Sequence, residues 1–266
     1  MGLKLNSIEL KGFKSIDNDG QTIPINDGVT VMIGANGSGK SNIVSFFQML
    51  NNAMTDSLQV YIAKNGDADT FLHYGSKETE SLAAKLHFTD GENEDIYSFK
   101  LSAAAGGASS GKKLIFTEES LLFHKKGNPK PFTHTYEPGS KETQLTEPQN
   151  GPHKDVAKVL RRILSNCRYY QFHDTTLESK IRNSCYINDY KTLKSNGGNL
   201  AAFLYNLKED ENVRWYYDRI ILYIRLVLRQ FGDFDLKPLL EDKRKITLDW
   251  REEGNDTIFG VHQFSD

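Results

Sequence analysis

The residues best suited to chemistry form one glycine-rich stretch near the start of the chain. It reads Gly34-Ala35-Asn36-Gly37-Ser38-Gly39-Lys40-Ser41. It matches the pattern G-x-x-x-x-G-K-[ST] at every fixed position, and glycines there let successive backbone N–H groups turn toward phosphate oxygens. Lys40 can reach the β- and γ-phosphates of a nucleotide, and the Ser41 hydroxyl suits Mg²⁺. Residues 34–41, the phosphate loop, therefore predict a site for ATP and Mg²⁺, and an ordinary glycine loop is the alternative.

Such a loop needs a strand before it and a helix after it, and the sequence predicts both. Residues 22–33 are interpreted as two short strands around the turn signal Asn26-Asp27-Gly28. The second, residues 29–33, is nearly all apolar, as in a central strand buried on both faces. Residues 40–54 carry apolar side chains at helical spacing, and residues 3–10 alternate as a strand does.

The rest of the chain predicts β-rich and helical segments in turn. Residues 55–152 are predicted to be a β-rich insertion with strands at 81–88, 95–101, 113–116 and 120–124. Glycine- and proline-rich residues 103–111 and 127–152 are predicted to be a hairpin tip and a long loop. Residues 153–232 are predicted to be a helical segment, with helices at 153–165, 199–209 and 212–231 and a strand at 168–173. Residues 233–266 return to strands, at 234–240, 246–251 and 257–261.

Composition excludes several classes of protein. Of the 266 residues, 38% are apolar and 26% are charged, which is enough for a core and excludes a wholly disordered chain. No 18-residue apolar run is present, so no transmembrane span is expected. The net charge of −2 means that any contact with nucleic acid must come from a local patch. Cys167 and Cys185 make neither a disulfide framework nor a zinc site, and the N-terminus does not resemble a signal peptide, so the expected location is the cytoplasm.

Two stretches resemble a known family. Residues 10–16, Leu-Lys-Gly-Phe-Lys-Ser-Ile, followed by residues 34–42, Gly-Ala-Asn-Gly-Ser-Gly-Lys-Ser-Asn, resemble the N-terminus of ABC-class ATPases of the RecF, SMC and Rad50 type. Overcoming-lysogenization-defect (OLD) nucleases belong to the same group. The resemblance implies an α/β P-loop fold whose mixed sheet carries an antiparallel β insertion and a helical segment. It makes Lys14, Ser15 and Asn42 candidate nucleotide contacts, although a solvated lysine at a strand end is the alternative for Lys14.

Two weaker resemblances follow along the chain. Residues 169–175 resemble the Q-loop, in which a polar side chain senses the γ-phosphate and Mg²⁺. Gln171 is the first candidate, His173 and Asp174 are substitutes, and a strand end with satisfied polar groups is the alternative. Downstream, Asn196 or Asn199 could cap a helix. Phe264-Ser265-Asp266 resembles the start of the family's signature motif, whose serine contacts the γ-phosphate bound to the other subunit.

Departures from the family pattern narrow the interpretation. No apolar run ending in Asp-Glu follows the phosphate loop, so no Walker B motif is found. Residues 1–266 are therefore interpreted as the N-terminal part of one ABC-type ATPase domain, interrupted at the signature, which binds ATP and hydrolyses it poorly alone. About 90 residues separate Gln171 from Ser265 without sustained heptads, which favours compact RecF-like or OLD-like proteins over long-armed ones.

The implied function is a Mg-ATP-driven homodimer that acts as a switch in DNA repair or maintenance. The alternative is a regulatory module that controls an effector nuclease in phage defence, and a small P-loop kinase and a transporter ATPase are more remote. Seven basic residues in 153–182 could meet DNA phosphates, although a solvated helix face is equally in keeping with them. They are Lys154, Lys158, Arg161, Arg162, Arg168, Lys180 and Arg182. The helix at 212–231 is predicted to be a buried or interface helix with pairing or snorkelling arginines, and a nucleic-acid-facing helix is the alternative.

Overall fold

The chain folds into two compact units, Met1–Arg168 and Tyr169–Asp266. The computed structural model describes residues 2–25, 28–105, 111–146, 154–170, 172, 176, 178–260 and 263. Gln171, His173, Asp174 and Phe264-Ser265-Asp266 lie outside the described residues. The predicted Q-loop and signature contacts therefore remain predictions.

The first unit is built on a six-stranded sheet. Its strands are β1 (Lys4–Lys11), β2 (Gln21–Pro24), β3 (Ser81–Thr89), β4 (Glu94–Ala104), β5 (Lys113–His124) and β6 (Phe132–Thr135). The spatial order is β2-β1-β3-β4-β5-β6, and each of these pairs is antiparallel. Alternate residues of β3 and β4 are buried, because successive side chains of a strand point to opposite faces of the sheet. One face of the sheet therefore forms the core.

Helices complete that core. They are α1 (Lys40–Ala53), α2 (Leu58–Lys64), α3 (Ala68–Phe71) and α4 (Lys154–Ser165). The Phe46 ring of α1 lies 5.8 Å from the Phe13 ring and 6.4 Å from the Phe99 ring of β4, measured between centroids. The Asn51 side-chain amide, near the end of α1, donates to the Ser165 carbonyl at 2.9 Å and so ties α1 to the end of α4. Core packing and this amide fix the direction of the helix that follows the phosphate loop.

A buried carboxylate holds the chain after β6 against the sheet. Glu119 of β5 is 2% exposed and accepts hydrogen bonds from the Tyr97 hydroxyl at 2.6 Å, the Thr143 hydroxyl, and the Gln144 N–H at 3.0 Å. Burial raises the pKa of the Glu119 carboxyl, and its three donors oppose that shift. The short 3₁₀ helix Gln144–Thr146 begins at this anchor.

The prediction of a buried central strand at residues 29–33 is wrong. These residues form no strand, and Val29, Val31 and Ile33 are 81%, 72% and 92% exposed. The apolar pattern is present, but among the described residues no strand of a sheet pairs with this segment. Its side chains are therefore not buried between neighbouring strands and helices. As a result, the described sheets contain antiparallel ladders alone. The first of the two strands predicted in residues 22–33 forms as β2, and Asn26 and Asp27 lie outside the described residues.

Other predictions for this unit are confirmed with shifted bounds. The strands at 3–10, 81–88 and 95–101 and the helices at 40–54 and 153–165 form within a few residues of their predicted ends. The strands at 113–116 and 120–124 are one continuous strand, β5. The sequence analysis missed α2, α3 and β6, which are short elements whose apolar residues show no extended periodicity.

The second unit has its own core. Its elements are β7 (Cys185–Tyr186), α5 (Leu200–Glu209), α6 (Arg214–Val227), β8 (Phe231–Asp235), β9 (Lys245–Ile246), β10 (Asp249–Glu252) and β11 (Ile258–Phe259). The strands form the sheets β11-β10-β8 and β7-β9. The Phe231 and Trp250 rings stack at 5.7 Å, and Asp233 accepts hydrogen bonds from the Tyr217 hydroxyl at 2.5 Å and the Lys208 ammonium at 2.8 Å. Asp233 thus joins α5 and α6 to β8.

Two predictions for the second half of the chain are wrong, and a third is confirmed in part. The described residues of the strand predicted at 168–173 form no strand. Neither predicted asparagine caps α5 with its side chain. The Asn199 Oδ1 accepts from the Lys194 N–H at 2.8 Å while its amide nitrogen donates to the carbonyls of Asp189 and Thr192. The Asn196 Oδ1 accepts from the Gly198 N–H at 3.1 Å. The helix predicted at 212–231 forms as α6, and its arginines pair as predicted: Arg214 with Asp218 at 3.1 Å, and Arg225 with the Phe231 carbonyl at 3.2 Å. Burial is limited to Tyr217 and Ile221, so the helix is exposed along one side. Within the described parts of the chain, no helix has the length and apolar character that crossing a membrane requires.

Candidate functional site

The phosphate loop leads directly into α1 through glycines in the left-handed backbone region. Gly37 has φ 84° and Gly39 has φ 88°, values that glycine adopts without the steric cost that other residues incur. Gly39 is the N-cap residue of α1. Its left-handed conformation turns the loop back over the start of the helix.

The N-terminus of α1 is open toward this loop. Within the described residues, no side chain caps it, and its first turn contains no acidic residue. The first N–H groups of a helix lack partners inside the helix and carry part of the positive end of the helix dipole. The end of α1 that faces the loop therefore has the properties of an anion-binding site.

Lys40 is folded back into the loop. Its ammonium donates to the carbonyls of Gly34 and Ala35, each at 2.7 Å, and contacts the Ser38 hydroxyl at 3.3 Å. These partners are neutral oxygens, which a lysine exchanges readily for charged phosphate oxygens because hydrogen bonds between ions are stronger. The ammonium marks the position at which the loop would receive a phosphate.

The turn after β1 forms a second wall of the site. The Ser15 hydroxyl accepts a hydrogen bond at 2.7 Å from the Asn42 side-chain amide in the first turn of α1. The same hydroxyl lies so close to Gly39 that a Cβ on Gly39 would be 2.5 Å from it. Ser15, Gly39 and Asn42 thus meet at one point, although Ser15 and Asn42 are 27 residues apart in the chain.

Lys14 lies in the turn after β1 and contacts α1 one helical turn beyond Asn42. Its ammonium donates to the Ser45 hydroxyl at 2.7 Å and lies 5.5 Å from the centre of the Phe71 ring. Burial lowers the pKa of Lys14, because the charged form loses hydration. Its backbone has φ 49°, and its carbonyl contacts Nδ1 of His73 at 2.6 Å. The Lys14 side chain is packed and bonded, unlike the solvated strand-end lysine that the sequence left open.

The structure thus groups most of the predicted site residues. Lys40 contacts Gly34, Ala35 and Ser38 within the loop, and Ser15 and Asn42 lie against Gly39 at its end. Asn36, Gly37 and Ser41 are exposed on the same segment. Lys14 contacts the adjoining turn of α1, and Gln171 lies outside the described residues.

Sequence analysis did not find Ser45, Phe71 or His73. Each contacts Lys14, but Phe71 and His73 come from a segment for which the sequence predicted no element. Ser45 was overlooked as a polar position among apolar neighbours in a helix. No spacing in the sequence distinguishes it from an ordinary serine on a helix.

The predicted basic patch is divided. Lys154, Lys158 and Arg162 are exposed on α4, whereas Arg161 donates to the Thr146 carbonyl at 2.7 Å and so has a structural contact. Lys180 and Arg182 belong to the second unit. Lys154, Lys158 and Arg162 follow one another at four-residue intervals on α4, so these three basic residues share one surface of the first unit.

A family model described as an AAA ATPase domain matches residues 3–221. Over 39 residues, or 15% of this chain, the sequence is 56% identical to the chromosome partition protein Smc of Pyrococcus furiosus, and the chain spans 3% of that protein's length.

Solved structures of SMC heads share low identity with the chain. The SMC head bound to the C-winged helix domain of ScpA is 13% identical, with a TM-score of 0.45 over 98% of this chain and 71% of that one. A Pyrococcus yayanosii Smc head with a coiled coil and joint is 16% identical, with a TM-score of 0.35 over 86% and 39%. A structure from work on ATP-driven dimerization and DNA-stimulated activation of SMC ATPases is 18% identical, with a TM-score of 0.32 over 60% and 96%.

Proposed function

Because the chain belongs to the family of AAA ATPase domains, we propose that its phosphate loop binds the phosphates of Mg-ATP as a conformational switch. The observation that carries this proposal is the loop itself. Left-handed Gly37 and Gly39, the uncapped N-terminus of α1 and the inward Lys40 ammonium present donors and positive charge to one point. Such a point suits a polyphosphate.

Each residue of the site has a role in this proposal. Lys40 exchanges the carbonyls of Gly34 and Ala35 for phosphate oxygens. Mg²⁺ commonly takes one or two protein ligands and completes its shell with phosphates and water, and the exposed Ser41 hydroxyl would be one such ligand. Ser15 and Asn42 hold the loop against the turn after β1. Lys14 and Gln171 remain proposed contacts with the nucleotide.

We further propose that bound ATP is shared between two copies of the chain. The loop supports this, because residues 31–38 are exposed and a second chain can reach a nucleotide bound there. Contacts made only with the γ-phosphate present would favour the closed dimer, and hydrolysis would release it. Hydrolysis needs a group that orients water. The 266 residues contain no apolar run ending in Asp-Glu, so slow turnover is proposed for this chain alone.

The wider role we propose is DNA repair or maintenance in the cytoplasm. The short match to a chromosome partition protein and the exposed basic residues of α4 favour it. Reversing the charges of Lys158 and Arg162 should then weaken DNA binding and flatten its dependence on salt, and no change in either would contradict a DNA role. Control of an effector nuclease is the second candidate, and a small P-loop kinase is the remote one.

Nucleotide binding is tested by Lys40→Ala, with Lys64→Ala as the matched control. Lys64 is exposed at the end of α2, where its side chain faces solvent. Hydrogen bonds to charged groups contribute about 1.5–3 kcal/mol, so Lys40→Ala should weaken ATP binding about 10- to 100-fold. Titration calorimetry with Mg-ATP measures this, and Lys64→Ala should bind like the parent chain. Equal affinities for the two variants would contradict the proposed site.

A further inference from the structure

One side of α6 is both apolar and exposed along its whole length. Its exposed large apolar side chains are Trp215, Tyr216, Leu222, Tyr223, Leu226 and Val227, which are 47–90% exposed. Arg219, also exposed, lies among them. These seven residues are called the α6 stripe. Contiguous apolar surface of this kind is uncommon on a monomer and marks a site of interaction.

The spacing of the stripe keeps it on one side of the helix. Leu222 follows Trp215 by seven residues, and Tyr223 follows Tyr216 by the same interval. Seven residues make about two helical turns, so these positions lie nearly in line. The stripe is about 18 Å long at 1.5 Å per residue. On the other side of α6, Tyr217 and Ile221 are buried in the core of the second unit, which fixes the helix beneath the stripe.

Two copies of the stripe match each other when their helices run in opposite directions. Trp215 and Val227, Tyr216 and Leu226, and Arg219 and Tyr223 are each placed symmetrically about position 221. An antiparallel second copy therefore sets the aromatic end of one stripe against the aliphatic end of the other. The contact has two-fold symmetry, and each side presents the same surface.

Charge supports the antiparallel direction. The Arg219 guanidinium lies 5.7 Å from the centre of the Tyr223 ring in its own helix, an attraction between a cation and an aromatic face. In the antiparallel pair each Arg219 also meets the Tyr223 ring of the other copy. A parallel pair would instead set the two Arg219 side chains beside each other. Asp218, the one acidic residue of α6, is paired with Arg214 at 3.1 Å.

We propose that the α6 stripe binds the same stripe of a second copy, antiparallel and without nucleotide. This contact differs from the ATP-dependent one proposed above and does not rest on it. Stable interfaces use about 20–30 residues a side, so a contact of seven residues a side should be weak, with a dissociation constant in about the micromolar range. In the cell it would bring two chains together before ATP is bound.

The association is tested by sedimentation velocity of the 266-residue chain without nucleotide, at about 1–200 μM. A concentration-dependent dimer is expected. Leu222→Glu with Leu226→Glu should weaken it at least about tenfold, because four carboxylates would enter an apolar contact. Leu240→Glu is the control, since Leu240 is 97% exposed outside the stripe. Circular dichroism checks that the variants are folded.

Two results would overturn the proposal. One is a parent chain that stays monomeric at the highest concentration, and the other is a dimer that the double glutamate variant leaves unchanged. Lys40→Ala should retain this dimer even if it loses ATP binding. Failure of the nucleotide site and failure of the α6 contact are therefore distinguished in the same samples.

The antiparallel register has its own test. In the antiparallel contact, Tyr223→Glu places a carboxylate opposite Arg219 of the other copy at both ends of the pair, whereas the neutral Tyr223→Gln does not. The glutamate variant should therefore form more dimer than the glutamine variant. In a parallel contact, the two introduced glutamates would meet each other and the two Arg219 side chains would stay side by side, so the glutamate variant would form less dimer. Less dimer for Tyr223→Glu than for Tyr223→Gln would overturn the antiparallel register.

Discussion

Gly39 lies where the phosphate loop joins α1, with its backbone in the left-handed region and the Ser15 hydroxyl against its Cα. Gly37 has nearly the same φ but faces open space, with no atom within 4 Å of an added Cβ. The two glycines therefore separate two requirements. Both need backbone freedom, but only Gly39 also needs the absence of a side chain.

This difference predicts the effects of alanine at the two positions. Gly37→Ala should raise the free energy of the loop conformation by about 1 kcal/mol, the usual value for an alanine in the left-handed region. It should lower ATP affinity by less than about tenfold. Gly39→Ala adds a clash with Ser15 and should displace the loop, so that ATP affinity falls below that of Gly37→Ala. Calorimetric titration with Mg-ATP measures both. Equal losses would show that contact with Ser15 does not shape the loop.

Some of the candidate site residues could be predicted from the sequence, and others could not. The phosphate loop was predictable because its residues are consecutive and each has a separate chemical reason. Ser15 and Asn42 could be proposed only by resemblance, and their contact is a feature of the fold. The Lys14–His73 contact joins residues 59 apart and was not predictable, because no local pattern encodes a turn closing on a distant loop.

Among the elements, residues 29–33 and β5 show opposite errors. The apolar run at 29–33 predicted burial, but burial requires a partner, and a pattern in one segment does not reveal whether another segment pairs with it. For β5, two predicted strands are one, because the polar residues between them include Glu119, which is buried and bonded. Polarity predicted a break where the strand in fact continues.

Glu119 predicts a large difference between two adjacent glutamates. Glu119→Ala removes the acceptor for Tyr97, Thr143 and Gln144 and leaves buried donors unsatisfied, which should cost about 2–4 kcal/mol of unfolding free energy. Glu118→Ala removes an exposed side chain with one ion pair to Lys100 at 3.3 Å and should change stability by less than about 0.5 kcal/mol. Urea unfolding measures both variants. Similar midpoints would contradict an anchoring role for Glu119.

The molecule as a whole has two units with separate cores, and the phosphate loop belongs to the first unit. The order of elements in both units was largely predictable from periodicity. The division into two cores was not, because the same α and β patterns fit one core or two. Which residues meet in the core depends on contacts between distant segments.

The placement of the site predicts where ATP should act. Saturating Mg-ATP should slow amide hydrogen exchange in the phosphate loop, the start of α1 and residues 12–16, and it should raise the free energy of unfolding by about 4 kcal/mol at a thousandfold excess over the dissociation constant. Exchange in α6 should not change at concentrations where the chain is monomeric. Hydrogen exchange with mass spectrometry measures this, with Lys40→Ala as the control. At an ATP concentration near the parent chain's dissociation constant, Lys40→Ala should show little slowing, and equal slowing in the two chains would contradict a role for Lys40 in the site.

The exposed segment at residues 29–33 also bears on how the isolated chain behaves at high concentration. It contains Val29, Val31, Met32 and Ile33, includes no charge or proline, and has high β-propensity. Exposed segments of this composition add strands to one another and seed aggregation. We therefore expect aggregation of a concentrated preparation to begin at this short stretch, next to the phosphate loop.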